Sequence, residues 1–291
     1  MKKLISLLLT AAMLASFALT GCGSGSTETT TAEGGQTTEE TTQEETSSDD
    51  KKVFVYPADQ DVSNLLPSSG GSDSVAVMYK PLYDPLYIIN NAETRYYLVD
   101  KLEVSDDGLN IKLHFNENAK WHDGEPVTVD DLLFTLKYFT EGATKTSTTY
   151  TKINGEDVVY EKVDDYNVNI TLPSYLSKFV TTLGRLCIYP EHVFNGDVTT
   201  VETSDAAMQG IGNGPFKLKE WNKGENIIYE KNTDYYRGEA KIDELIMKII
   251  PDNSAKEVAF QSGEVSCLRI TSKEKYEKYS ADENYTVTQT P

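Results

Sequence analysis

Between Leu109 and Phe115 the chain alternates, with Leu109, Ile111, Leu113 and Phe115 set against Asn110, Lys112 and His114. A period of two puts the apolar set on one face of a half-buried strand. Leu102-Glu103-Val104 precedes it, and Asp106-Asp107-Gly108 between them supplies the positive-φ positions of a tight hairpin turn. A second turn is predicted at Trp121-His122-Asp123-Gly124, and the period then lengthens. Leu132, Leu133, Leu136 and Phe139 form the buried stripe of a helix. Thr128 is placed to cap that helix, with Asp131 as capping-box partner and Asp130 favourable near the dipole. The unit reads as a hairpin feeding a helix.

The remaining pattern is sparser. It predicts a short strand at Val53-Phe54-Val55, a loop closed by Leu65-Leu66-Pro67, and a helix from Ser74 to Tyr79 stopped at Pro81. Alternating strands follow at Val158–Tyr160 and Val168–Leu172, then a short helix from Phe179 to Leu186. Phe216, Leu218 and Trp221 predict a strand paired with Ile227–Glu230, and Ile242–Ile250 is an apolar strand. Tyr79, Tyr83 and Tyr87 have helical spacing, but Pro81 and Pro85 interrupt any single helix through them. They read as packing aromatics.

The N-terminus changes the picture. Lys2 and Lys3 precede an apolar run, Leu4 to Leu19, that is too short and wrongly flanked for a stable membrane span. It ends in Leu19-Thr20-Gly21-Cys22, which resembles the lipobox of bacterial lipoproteins. That resemblance implies a signal peptide over 1–21 and a diacylglyceryl group on Cys22. Residues 23–50 are Gly, Ser, Thr, Gln, Glu and Asp with one Ala, which cannot bury a core and predicts a disordered tether. Setting aside the tether's acidic residues and the two lysines, the net charge of −19 becomes −13 for residues 51–291. So acidic a domain disfavours binding nucleic acid or anionic lipid directly and suits an exported protein.

Candidate chemistry is thin. Cys187 and Cys267 could pair in an oxidising compartment or stand as two separate thiols, and the sequence leaves both open. There is no CxxC, GxSxG or HExxH, and His114, His122 and His192 stand alone. His122 reads as a turn or packing residue. The run Gly210-Ile211-Gly212-Asn213-Gly214-Pro215 invites a dinucleotide reading, but that fingerprint needs a glycine at Pro215 and a helix after it. A strand follows instead.

Taken together, the blocks 101–139, Ile188–Phe194, Gly210–Leu218, Asn232–Gly238 and Glu257–Val265 resemble family 5 of the extracellular solute-binding proteins, the peptide/nickel group served by ABC transporters. Asn213, Phe216 and Ser266 depart from the family's Thr, Tyr and Asp. The resemblance implies an α/β fold of the type II periplasmic-binding-protein kind with mixed sheets. It places a first lobe at 51–66 and 190–270 and an inserted strand-rich domain at 67–189. Residues 271–291 would begin the crossover to a second lobe, and since family members are much longer, that lobe would be missing from a fragmentary chain. It implies ligand contacts from Asp61, Val62, Leu268, Arg269 and Ile270, with a guanidinium at Arg269 able to clamp a carboxylate or simply to form a surface ion pair. The implied function is capture of an oligopeptide or similar small solute, delivered to permease subunits, by a membrane-anchored protein. No cofactor, metal or catalytic step is implied. A ligand sensor that docks a signalling receptor is the alternative, as is a nickel, haem or oligosaccharide binder of the same family.

Overall fold

The structure, a computed structural model, describes residues 51–67, 73–91, 93–142 and 149–288. The predicted signal peptide, Cys22 and the tether lie outside them. In chain order the elements are β1 (Val53–Ala58), α1 (Asp73–Tyr79), β2 (Tyr87–Asn90), β3 (Glu93–Tyr96), β4 (Val99–Val104) and β5 (Asn110–Phe115). Next come α2 (Val129–Glu141), β6 (Lys152–Ile153), β7 (Glu156–Asp157), β8 (Val159–Lys162), β9 (Asn167–Thr171) and α3 (Phe179–Gly184). The chain continues through β10 (Phe216–Asn222), β11 (Asn226–Lys231), β12 (Glu244–Ile249), α4 (Asn253–Gln261) and α5 (Lys273–Ser280).

Two four-stranded sheets carry the fold. One is mixed, in the order β1-β12-β11-β10; β1 runs parallel to β12, with Val53 opposite Glu244 and Ala58 opposite Ile249. The other is antiparallel, in the order β4-β5-β9-β8. Its inner face is the predicted one: Ile111 stands between Val104 and Ile170, and Leu113 between Leu102 and Val168. Ile111, Leu113, Val168 and Ile170 are almost fully buried. The buried side chains of both sheets and of α2 form one continuous cluster. Gly108 takes φ +69° in the β4–β5 turn, as the Asp-Gly pair requires.

The spacing of Phe216, Leu218 and Trp221 does not fit a plain alternation, and β10 resolves it with a bulge. Leu218 faces Tyr229, the register slips at Lys219, and Trp221 then faces Ile227. The extra residue brings Trp221 back to the face that Leu218 occupies.

The β2–β3 hairpin, the small β6–β7 hairpin and α5 were not predicted. The β2–β3 hairpin turns through Asn91 at φ +48°. Helix α5 buries only Tyr279, so it shows no apolar stripe. It is held by polar groups instead: the Ser272 hydroxyl caps it by accepting from the Lys275 N–H at 3.2 Å. Glu257 of α4 collects Lys275 at 2.6 Å, the Tyr279 hydroxyl at 2.8 Å and Lys278 at 3.1 Å. Those contacts pull the Glu257 carboxyl down to about 2.

Candidate functional site

The glycine-rich blocks of the sequence are brought together, and they build scaffold. The Trp121-His122-Asp123-Gly124 turn meets the Gly210–Gly214 loop through His122. The imidazole Nδ1 accepts from the Gly212 N–H at 3.1 Å, which leaves Nε2 protonated and donating to the Gly214 carbonyl at 3.1 Å. The His122 N–H donates to the Gly212 carbonyl at 2.7 Å. Burial holds this imidazole neutral, its pKa lowered to about 4, with Lys217 adding to the effect and Asp123 opposing it. Lys217 in turn donates to the His122 carbonyl at 3.0 Å. His122 is therefore a packing residue with both ring nitrogens engaged, as its place in the turn suggested.

Gly124 sits at φ +99°, with nothing within 4 Å of where a Cβ would project. Gly124→Val is thus a test of backbone conformation alone. It is expected to cost about 1–3 kcal/mol in a urea melt while leaving ligand selectivity unchanged. A variant that melts like wild type would refute the turn argument.

Asp131 does more than complete the capping box with Thr128. Its carboxylate accepts from the Thr128 N–H at 2.9 Å, the Trp121 indole at 3.1 Å and the Glu191 N–H at 2.9 Å. It ties the turn, the start of α2 and the 188–194 return into one knot. Burial pushes its pKa up to about 6 against those three donors. Asn213, which stands where the family resemblance has threonine, is fully buried, and its side-chain Oδ1 accepts from the Asp84 N–H at 2.8 Å. Asp84 also accepts from the Tyr235 and Tyr236 hydroxyls at 2.6 and 2.8 Å, so the Asn232–Gly238 block closes on the same loop.

The segment after α4 is different. Ser266 is pinned to β1: its N–H donates to the Val55 carbonyl at 2.8 Å, and its hydroxyl accepts from the Val55 N–H at 2.9 Å. The serine hydroxyl thus supplies a side-chain acceptor for β1. At the far end, α5 is fastened to α4 through Glu257 and through the ring contacts of Phe260, Tyr279 and Tyr285. Cys267, Leu268, Arg269 and Ile270 form a strap between the two anchors. Among the described residues, none of their backbone N–H or C=O groups makes a hydrogen bond.

Two cavities adjoin this strap. One, of about 800 Å³, is lined by Leu268, Arg269 and Ile270 with Tyr276, Tyr279 and Tyr285. The other, of about 430 Å³, shares Cys267, Leu268 and Arg269 and adds Tyr56, Asp59 and Lys256. Lys256 is only 6% exposed and is paired with Asp59, which also accepts from the Ser74 hydroxyl at 2.8 Å. The hydrogen bonds from Lys256 and Ser74 hold the Asp59 carboxyl below its usual range. Burial raises the Tyr56 phenol, an effect that the Arg269 charge partly offsets.

The residues expected at a ligand thus fall into two places. Leu268, Arg269 and Ile270 are together on the strap. Asp61 and Val62 line neither cavity. The Asp61 carboxylate accepts from its neighbour Val62 N–H at 2.8 Å, the Trp221 indole at 3.1 Å and the Gly224 N–H at 2.7 Å, while the Val62 side chain is buried in the core. Asp61 fastens the β1 loop to the β10–β11 turn. Tyr56, Asp59 and Lys256 were not foreseen; β1 continues to Ala58, beyond its apolar opening, and that extension carries Tyr56 to the strap. Cys187 and Cys267 are both free, and burial raises Cys187 to about 12. The arginine at 269 has no ion-pair partner among the described residues. Those residues hold no cluster of His, Cys, Asp and Glu suited to a metal.

The mixed sheet and its surroundings are the α/β fold of the type II periplasmic binding proteins. Residues 93–291 match the bacterial extracellular solute-binding proteins, family 5 (middle region), and the chain belongs to that family. It is 29% identical over 229 residues to the oligopeptide-binding protein AppA of Bacillus subtilis (strain 168), over 70% of this chain and 41% of that protein. The structure of AppA in complex with a nonapeptide superposes with a TM-score of 0.65 at 26% identity, over 78% of this chain and 45% of that one. An ABC transporter substrate binding protein, CtaP of Listeria monocytogenes, gives a TM-score of 0.70 at 27% identity, over 79% and 46%. The chain spans less than half the length of each of these relatives.

Proposed function

We propose that this chain carries the solute-contacting part of the first lobe of an exported binding protein that captures oligopeptides and delivers them to an ABC permease. In this reading residues 51–66 and 190–270 form the lobe, 67–189 the inserted domain, and 271–291 the start of the crossover to a second lobe that closes over the solute by a hinge. Cys22 carries the lipid that holds the protein at the outer face of the cytoplasmic membrane, with 23–50 as the spacer.

The observation that carries the reading is the strap. Four consecutive residues with unpaired backbone groups, suspended along two cavities, offer an extended peptide both hydrogen bonds and side-chain space. The oligopeptide ligands of the relatives support the same class of solute. The test is mass spectrometry of whatever co-purifies with the full-length protein and is released on mild denaturation. Short peptides are the expected result. A metal chelate, haem or a sugar in their place would overturn the peptide reading.

A further inference from the structure

Resting on the delivery reading above, we propose that one end of the antiparallel sheet, built around Tyr175 and Leu176, is a surface that docks the permease. Four of the nine large apolar side chains exposed among the described residues, Val104, Val159, Tyr175 and Leu176, gather at this end. The register brings them there. Val104 closes β4 just before the Asp106-Asp107-Gly108 turn, Val159 opens β8 opposite Thr171, and Thr171 stands opposite Asn110 at the start of β5. The Leu172 N–H donates to the Leu109 carbonyl at 2.8 Å, so the segment carrying Tyr175 and Leu176 leaves the sheet beside that turn. None of the four apolar residues lines either cavity of the strap.

Tyr175 is 67% exposed, yet its ring is held. A Cβ on Gly108 would lie 2.8 Å from two of its ring carbons, so the ring occupies space that only a glycine leaves open. The segment behind it is tied by Asn154, whose side-chain amide donates to the Ser174 hydroxyl at 3.2 Å. An exposed aromatic already fixed in place loses little rotamer freedom on association, which is the character of an interface anchor. Single apolar residues on a surface need no partner, whereas a cluster around a fixed tyrosine fits one. The charges around it define the partner's chemistry. Asp106 and Asp107 in the turn and Glu156 in β7 are exposed. Lys152 is paired with Asp157, which leaves Lys178 as an unpaired cation at this end among the described residues. The rim is therefore acidic, within a domain whose net charge is −13. A second copy of this chain or an anionic lipid surface meets repulsion there. A protein socket that is apolar at its centre and bordered by lysine or arginine is the complement.

The test is photo-cross-linking of the full-length protein in its own host, with p-benzoylphenylalanine in place of Tyr175. Irradiation of intact cells should join it to a permease subunit, identified by mass spectrometry of the adduct. Adding Leu176→Ser or Asp106→Lys to the same chain should each cut the yield about 10-fold, with the melting temperature unchanged. A lysine-reactive cross-linker on the unmodified protein reports permease association through any surface. A permease captured by that reagent but not from position 175 overturns the inference and leaves delivery standing. A second copy or lipid alone at position 175 does the same, as do equal yields from the parent chain and both variants. No permease under either reagent, or a signalling receptor in its place, overturns both.

Discussion

Gly212→Ala is expected to cost about 4 kcal/mol or more and to leave little folded protein at 37 °C. A Cβ on Gly212 would lie 1.9 Å from the Leu82 carbonyl oxygen and 2.7 Å from its carbon. Such a contact requires backbone to move, and the backbone on both sides is committed. The Leu82 carbonyl already accepts from the Asn213 and Gly214 N–H groups at 2.9 and 2.8 Å. Gly212 cannot retreat either, because its N–H and carbonyl are both held by His122. Gly224→Ala is the matched control. It sits at φ +80° with open space around the missing Cβ, so it should cost only the 1–2 kcal/mol of a left-handed residue. The measurement is the urea midpoint of each variant against wild type. A Gly212→Ala protein that unfolds at the wild-type midpoint would show that the loop does not pack on Leu82 this closely.

That loop also shows what could be read in the sequence and what could not. The β4–β5 hairpin and α2 were legible because every signal for them is local: alternation, Asp107-Gly108, Thr128 with Asp131, and the stripe on α2. The purpose of the second glycine block was not, because its partner Leu82 is far away in the chain and carries no signal of its own. The same holds for Asp61, which the family resemblance placed at the ligand. Its partners Trp221 and Gly224 belong to the β10–β11 hairpin, which only the sheet order β1-β12-β11-β10 brings near. Helix α5 was illegible for another reason, since its docking rests on Glu257, Lys275 and Lys278 and leaves no periodic apolar stripe. The family resemblance pointed to Leu268, Arg269 and Ile270, which lie together on the strap. Nothing in the local sequence announced Tyr56 and Asp59, which reach it through the pairing of β1 with Ser266.

Between pH 4 and 6.5 the contributions of His122 and Asp131 to stability are expected nearly to cancel in the wild-type protein, so that two variants tilt in opposite directions relative to it. His122 has a folded pKa of about 4 against an ordinary 6.5. The unfolded chain therefore takes up the proton first, so the histidine's contribution is complete above pH 6.5 and is lost as pH falls towards 4. Asp131 has a folded pKa of about 6 against an ordinary 3.8. Here the unfolded chain releases its proton first, so stability is full below pH 3.8 and is lost as pH rises towards 6. Each shift amounts to about 3 kcal/mol by linkage, and over the shared window the two slopes oppose one another. His122→Gln keeps an acceptor for the Gly212 N–H and a donor for the Gly214 carbonyl, and removes the titration. That variant should lose stability as pH rises from 4 to 6, because Asp131 acts alone. Asp131→Asn will be less stable throughout, since its three donors were aimed at a carboxylate, and it should gain stability from pH 4 to 6.5 under His122 alone. Carboxylates held low elsewhere, Asp59 and Glu257 among them, titrate equally in all three proteins and cancel in the difference. Urea unfolding at half-unit pH steps gives the three curves. Parallel curves would show that neither group titrates between these limits, and that the two polar knots of the scaffold are wetter than their geometry indicates.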